Sequence, residues 1–244
     1  MPAKVAVIIP ARYASTRLPG KPLLPIAGKP LIQHVWERCV KVKGVAEVIV
    51  ATDDLRIAEA AFAFGAEVAM TSPKHRSGTD RVAEVAKKLR GISHVINVQG
   101  DEPLIDPKLV ARLAAAMAAD RGIQMITAAN TFEPADDVTN PNMVKVVLDR
   151  AGDALYFSRS AIPYVRGDGV KPAFFRHQGL YGYTTKFLLR FVEWKPGVLE
   201  QAESLEQLRA LENGAKIRVI LTKHAAVGVD TPSDLATVER LLRR

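Results

Sequence analysis

Residues 10–23, PARYASTRLPGKPL, bring Arg12, Arg17 and Lys21 together with Ser15, Thr16 and Gly20 in one loop that follows an apolar run. Three cations among backbone amides suit a triphosphate: Arg chelates phosphate oxygens bidentately and Lys supplies a compact charge. The segment is not a Walker loop, because Ser15 stands where the first glycine is required and Pro22 where a Ser or Thr would hold magnesium. A GxGxxG dinucleotide fingerprint is absent too, and taken alone the loop reads equally well as a solvated basic turn. A second chemical segment is NVQGDEP at 97–103, in which Asp101 and Glu102 follow an apolar run. Carboxylates beside phosphate-binding cations call for a hard divalent ion such as Mg²⁺, which takes oxygen ligands and shares them between one or two carboxylates and substrate phosphates. Asp230, in GVDTP at 228–232, is the natural second ligand; the competing reading is an acid beside the helix cap Thr231.

These residues need a scaffold that delivers them to one place, and the hydrophobic pattern supplies it. Short β-branched runs alternate with amphipathic stretches through the first half, the signature of βα units winding a mostly parallel sheet, so the fold class is α/β. Strands are expected at Val5–Ile9, Glu47–Ala51, Glu67–Met70, His94–Val98, Gln124–Ala129, Met143–Leu148, Phe174–Tyr183 and Ile217–Leu221. Helices are expected at Pro30–Val42, Asp80–Leu89, Pro107–Ala119, Thr185–Trp194 and Glu203–Glu212, with a last one opened by Thr231-Pro232. The turn-rich residues 164–175 predict a mobile loop, a candidate lid or dimer arm. In such a sheet ligands bind at the carboxyl ends of the strands, where both chemical segments fall.

Length and composition set the outer bounds. The 244 residues, 48% hydrophobic, suffice for a real core and exclude a disordered or fibrous chain. The single cysteine, Cys39, allows neither an internal disulfide nor a cysteine zinc cluster, which favours a reducing cytoplasm. No run approaches the roughly 20 residues of a membrane span, and the first apolar run is too short for a signal peptide, so the chain reads as soluble, with no membrane insertion. The net charge of +8 admits a nucleic-acid-binding protein without catalysis, but the basic residues are dispersed and aromatics are only 6%, unlike a stacking platform for single strands, so no nucleic-acid partner is expected.

PARYASTRLPGKPL, ATDD (51–54), SGTDR (77–81), NVQGDEP, ALYFSRSAIP (154–163), RHQGLYGY (176–183), LEQLRALENG (205–214) and GVDTP occur in this order. Together they resemble the 3-deoxy-manno-octulosonate (KDO) cytidylyltransferase family, from Ile8 to the last helix. The resemblance implies a single domain over 1–244 of nucleotidyltransferase type (Rossmann-like, GT-A), with 130–200 as an inserted sugar-binding and dimerisation subregion. It implies that CTP and KDO are the substrates, CMP-KDO and pyrophosphate the products, Mg²⁺ the cofactor and a homodimer the assembly. Carried onto this chain, it makes Arg12, Arg17 and Lys21 the catalytic triphosphate ligands and Asp101 and Asp230 the metal ligands. Pro10, Ala11, Ser77, Gly78, Thr79, Arg81 and Gln99 join Arg12 and Lys21 at the nucleotide, and Arg159, Arg166, His177, Tyr181, Glu206 and Gln207 face the sugar. Two departures, the variable connection 164–175 and Gln178 after His177, leave 8-amino-KDO or another 2-keto sugar acid open as the acceptor. Read without the resemblance, Glu206 and Gln207 lie on a helix whose apolar stripe is Leu205, Leu208 and Leu211, and face solvent.

Overall fold

A computed structural model describes residues 3–14, 18–167, 169, 171–225 and 227–243. In chain order β1 (Val5–Ala11) leads through a tight turn at Lys21–Leu23 and a hairpin of β2 (Pro25–Ile26) and β3 (Lys29–Pro30) to α1 (Leu31–Cys39). The alternation continues with β4 (Glu47–Thr52), α2 (Leu55–Ala63), β5 (Glu67–Met70), α3 (Gly78–Lys88), β6 (His94–Asn97) and α4 (Pro107–Ala119). It then gives way to β7 (Met125–Thr131), β8 (Lys145–Leu148), β9 (Ala154–Ser158) and β10 (Phe175–Thr184). The chain closes with α5 (Thr185–Phe191), α6 (Val198–Glu203), α7 (Leu208–Glu212), β11 (Arg218–Thr222) and α8 (Pro232–Leu242).

The main sheet runs β11-β7-β10-β6-β1-β4-β5, with β8 and β9 attached beside β10. β1 pairs in parallel with β4 and β6, β4 with β5, and β11 with β7; β10 alone in that order runs against its neighbours. β1 is buried along its whole length. Its residues divide by parity: Val5, Val7, Ile9 and Ala11 join one core, which α1 and α4 cover, and Ala6 and Ile8 join the other, under α3, α5 and α7. That two-sided burial is why β1 reads as a continuous apolar run rather than an alternating one. Thr231 caps the last helix as the sequence predicts, and Asp54, Ser77 and Asp106 likewise each accept a first-turn N–H, with Ser77–Asp80 and Thr231–Asp234 forming capping boxes.

Three expectations change. The helix expected over Glu203–Glu212 is confined to α7 at Leu208–Glu212, because Ser204 adopts φ 51°, a left-handed conformation that ends the preceding α6 at Glu203. Glu206 and Gln207 therefore sit in a bend that turns toward the sheet, and Gln207 is buried rather than solvent-facing. The segment Ala154–Ser158, recognised in sequence only as part of a motif, is a strand that pairs with β8. Residues Asp168 and Val170 of the turn-rich connection lie outside the described residues.

The sheet tolerates no side chain at Gly182: a Cβ there would lie 2.7 Å from Ile126 Cγ2 and 2.8 Å from Met117 Sδ, where α4 crosses β10 and β7. Gly182→Ala is expected to lower the unfolding free energy by about 1–3 kcal/mol through overpacking, read as a lower urea midpoint at unchanged slope.

Candidate functional site

Because β1 and β6 are adjacent and parallel, their carboxyl ends open together. Val98 N–H donates to Ile8 O and carries the pairing past β6 to Gln99, Gly100 and Asp101. Gly100 lies so close to β1 that a Cβ would stand 2.7 Å from Pro10 O. The turn before α8 closes the same edge, with Val229 N–H donating 2.9 Å to Asp101 O. From the other side, the turn carrying Lys21 is fixed by Gly20 N–H to Tyr13 O (3.1 Å) and Lys21 N–H to Leu18 O (3.0 Å).

At the centre Lys21 Nζ donates to Asp101 Oδ2 at 2.5 Å, Asp230 Oδ1 at 3.1 Å and Val229 O at 3.0 Å. The lysine side chain is 15% exposed, those of Asp101 and Asp230 32% and 47%, so the cluster is reachable from a cleft of about 280 Å³. Pro10, Ala11, Arg12, Lys21, Ser77, Gly78, Arg81, Gln99, Asp101 and Asp230 all line that cleft. Arg12 is exposed, while Arg81 is buried against Asp53 Oδ2 (3.1 Å) and the hydroxyl of Thr71. The N-terminus of α3, with Gly78 packed 3.3 Å from Pro10 Cγ as judged from its missing Cβ, adds the positive end of a helix dipole to the cleft. Arg17, Ser15 and Thr16 lie outside the described residues.

The sequence reading missed His75, Arg76 and Gly100, which line the same cleft. A signal was present: Lys74-His75-Arg76 is a basic run immediately before the Ser77 cap, where an anion-binding helix terminus is expected. Glu102, which the sequence pairs with Asp101, points elsewhere. It is 8% exposed, its Oε2 has no hydrogen-bond partner, and burial, reinforced by Asp101, pushes its carboxyl up to about 8 against the pull of Arg176.

Thr79 faces away from the cleft lining: its hydroxyl donates a short bond to Glu206 Oε2, while Arg209 stands 3.6 Å from Glu206 Oε1. Burial raises the Glu206 pKa against the hydrogen bonds of Thr79 and Ser77. Gln207 is 4% exposed and its Nε2 has no partner. On β10, Tyr183 is core and Tyr181 half-buried, with burial raising both phenols well above their ordinary range. His177 sits edge-on to Phe157 at 5.0 Å and tilted toward Tyr181 at 5.4 Å. The Thr127 hydroxyl directs its one proton to the Leu180 carbonyl at 2.8 Å, so its oxygen accepts the His177 Nε2–H at 3.0 Å. Burial pushes the imidazole pKa down to about 3, which favours the neutral form, and with Nε2 donating to Thr127 the other ring nitrogen, Nδ1, is then the acceptor. Arg159 is turned to main-chain carbonyls, Nε to Glu203 O at 2.7 Å and Nη1 to Pro141 O at 2.8 Å, where it ties the β9 exit to α6. Arg166 is exposed on the 164–175 connection, and neither arginine lines the cleft.

A divalent cation fits the acidic pair. Two carboxylate oxygens already converge on one cationic centre, the Lys21 ammonium. Among the described residues no group of three or more His, Cys, Asp and Glu side chains gathers into a metal site, so an ion held by Asp101 and Asp230 needs phosphate and water oxygens to complete its shell, as Mg²⁺ does. No helix among the described residues is long and apolar enough to cross a membrane.

Residues 6–217 match the family model described as cytidylyltransferase. The chain is 52% identical to a 3-deoxy-manno-octulosonate cytidylyltransferase of Geobacter metallireducens, over 99% of this chain and 98% of that protein. It is 47% identical to the protein of the same name from Syntrophus aciditrophicus, over 98% and 97%. Among solved structures it superposes on a CMP:2-keto-3-deoxy-manno-octonic acid synthetase complexed with CTP, with a TM-score of 0.94, 46% identity and 99% coverage of both chains. A 4-diphosphocytidyl-2C-methyl-D-erythritol synthase from Anaerococcus prevotii shares the fold at 14% identity and a TM-score of 0.66, covering 99% of this chain and 97% of that one.

The burial of His177 generates a pH prediction. Its folded pKa lies below the unfolded value, so the unfolded chain binds a proton that the folded one refuses between about pH 6.5 and 3. The stability from keeping it neutral is complete above the unfolded pKa and falls on acidification, with a slope of up to about 1.4 kcal/mol per pH unit. Urea unfolding of wild type and His177→Gln at pH 7, 6 and 5 is expected to show a shallower loss in the variant.

Proposed function

The chain belongs to the cytidylyltransferase family, and we propose that it transfers the cytidylyl group of CTP to KDO, giving CMP-KDO and pyrophosphate for lipopolysaccharide assembly. The observation that carries this reading is the meeting of Lys21, Asp101 and Asp230 at the carboxyl edge of β1 and β6, beside Arg12 and the N-terminus of α3. The 2-hydroxyl of the sugar acid attacks the α-phosphorus, the bond to the bridging oxygen of the β-phosphate breaks, and the hydroxyl proton leaves to solvent.

Negative charge grows on the α-phosphate oxygens and on the departing pyrophosphate. Lys21 and Arg12 oppose it more strongly in the transition state than in the ground state, and Arg17 is assigned the same task from its place in the basic segment. Pro10, Ala11, Ser77, Gly78, Arg81 and Gln99 bound the nucleotide, with Thr79 linking that wall to Glu206. When bound, Mg²⁺ held by Asp101 and Asp230 supplies Lewis-acid charge at the phosphates and makes the attacking hydroxyl more acidic. Tyr181, the neutral His177, Glu206 and Gln207 form the sugar end. Gln207 Nε2, buried without a partner, suits a sugar hydroxyl, and Arg166, or Arg159 on release from its carbonyls, takes the carboxylate. In-line positioning supplies the remainder, and no dedicated general base is assigned.

Residues 130–200 are assigned as the sugar-binding and dimerisation subregion of a single domain. The exposure of Leu155 (61%), Tyr164 (87%) and Val198 (78%) supports self-association through it. The reaction is placed in the cytoplasm, where Cys39 remains a thiol.

Pyrophosphate release is expected only when CTP, KDO and Mg²⁺ are present together, and is abolished by chelator; release with an 8-amino or other 2-keto acid in place of KDO keeps the chemistry and changes the acceptor. Asp101→Ala and Asp230→Ala are each expected to lower turnover by on the order of 10²-fold or more, and near-normal turnover in either removes it from the metal site. Lys21→Ala is expected to lower kcat more than it raises the KM for the sugar acid, as steady-state kinetics at saturating CTP will read.

A further inference from the structure

An ammonium has three N–H donors, and all three of Lys21 are engaged, by Asp101 Oδ2, Asp230 Oδ1 and Val229 O. Nothing is left on that nitrogen for a phosphate oxygen. The same two carboxylates are the ones assigned to a divalent cation, and the ammonium stands between the oxygens that would hold it. Lys21 thus cannot serve the phosphates, nor the carboxylates the metal, until it moves. The backbone beneath it has no need to shift: Gly20, Lys21, Leu23 and Leu24 N–H groups all bond to neighbouring carbonyls, while the four-carbon lysine stem turns about its single bonds.

We propose that Lys21 is the resident counter-cation of the Asp101–Asp230 pair and exchanges places with the divalent ion, turning from the carboxylates to the triphosphate as metal and nucleotide enter. The proposal rests on the reading of Asp101 and Asp230 as metal ligands. In the nucleotide-free protein Lys21 neutralises part of their mutual repulsion and holds them pointed at one centre. A metal arriving alone must displace the ammonium from both carboxylates and leaves it only water in their place. A metal arriving with the triphosphate gives the ammonium a new anionic partner a short swing away. Metal and nucleotide therefore favour one another's binding, and by linkage to the same extent.

The test uses Mn²⁺ as the probe, its free concentration read by electron paramagnetic resonance, on the full chain without sugar acid. Without CTP, Lys21→Met is expected to bind Mn²⁺ roughly tenfold more tightly than wild type, equivalent to about 1.4 kcal/mol. Lys21→Arg, which keeps a cation, is expected to stay near wild type, and Asp101→Asn and Asp230→Asn to lose binding. With CTP added the advantage of Lys21→Met is expected to shrink or reverse, because the wild-type lysine has then left the carboxylates. Lys21→Gln, neutral but polar, is measured beside Lys21→Met, with circular dichroism on each, so that misfolding of one variant does not decide the outcome. Unchanged or weaker Mn²⁺ binding by both neutral variants, with both asparagine variants still deficient, overturns the exchange and leaves the metal site standing. Wild-type binding by the two asparagine variants overturns both.

Discussion

Two carboxylates aimed at one point repel, and a fold that needs them there has to supply a positive charge and hold every partner in place. Here the charge is Lys21, 80 residues from Asp101 and 209 from Asp230 in sequence. Much of the surrounding architecture serves that meeting. The parallel pairing of β1 with β6 sets the exits of the two strands side by side, and the Val229–Asp101 backbone bond anchors the start of α8 to the β6 exit. The capping box at Thr231, the residue after Asp230, then opens α8. A triphosphate and a divalent ion would meet a centre already assembled, so the cost of gathering like charges falls on folding rather than on binding.

The sheet separates two kinds of chemistry along its length. Toward β1 and β6 the groups are charged and accessible from the cleft: Arg12, Lys21, Asp101 and Asp230. Toward β10, His177, Tyr181 and Glu206 are each drawn toward the neutral form, first by burial. The first turn of α3 spans the boundary, because Ser77 and Gly78 line the cleft while Thr79 bonds Glu206. On the proposed reading the charged region serves phosphate transfer and the drier one the sugar hydroxyls, for which fixed neutral donors and acceptors discriminate better than solvated charges.

How far this was legible in the sequence depends on how local each cause is. β1, β4 and β6 are apolar because both faces are covered, and Asp54 and Thr231 are caps because the free N–H groups they satisfy lie within three residues. The placement of Arg12, Lys21, Asp101 and Asp230 at one edge followed from parallel topology and needed no side-chain detail. Glu206 and Gln207 were misread in their setting because the break before them rests on a single left-handed residue, Ser204, a type that seldom adopts that conformation. The role of Arg159 was invisible for another reason: its partners are carbonyls of residues 141, 203 and 204, a tertiary arrangement with no side-chain signature. Glu102 shows the same limit, since adjacency to Asp101 said nothing about which of the two would turn inward.

The seam between Gly100 and Pro10 has a consequence for how this chain can diverge. With 2.7 Å between a would-be Cβ and a backbone oxygen, residue 100 has no alternative that leaves the two strand exits at their present spacing. The floor of the cleft is thus written in main chain, and sequence drift has no handle on its shape. On the proposed reading, change in the acceptor falls instead to residues outside that lining, such as Glu206 and Gln207 in the bend after Ser204, which can be rebuilt without disturbing Gly100 and Pro10.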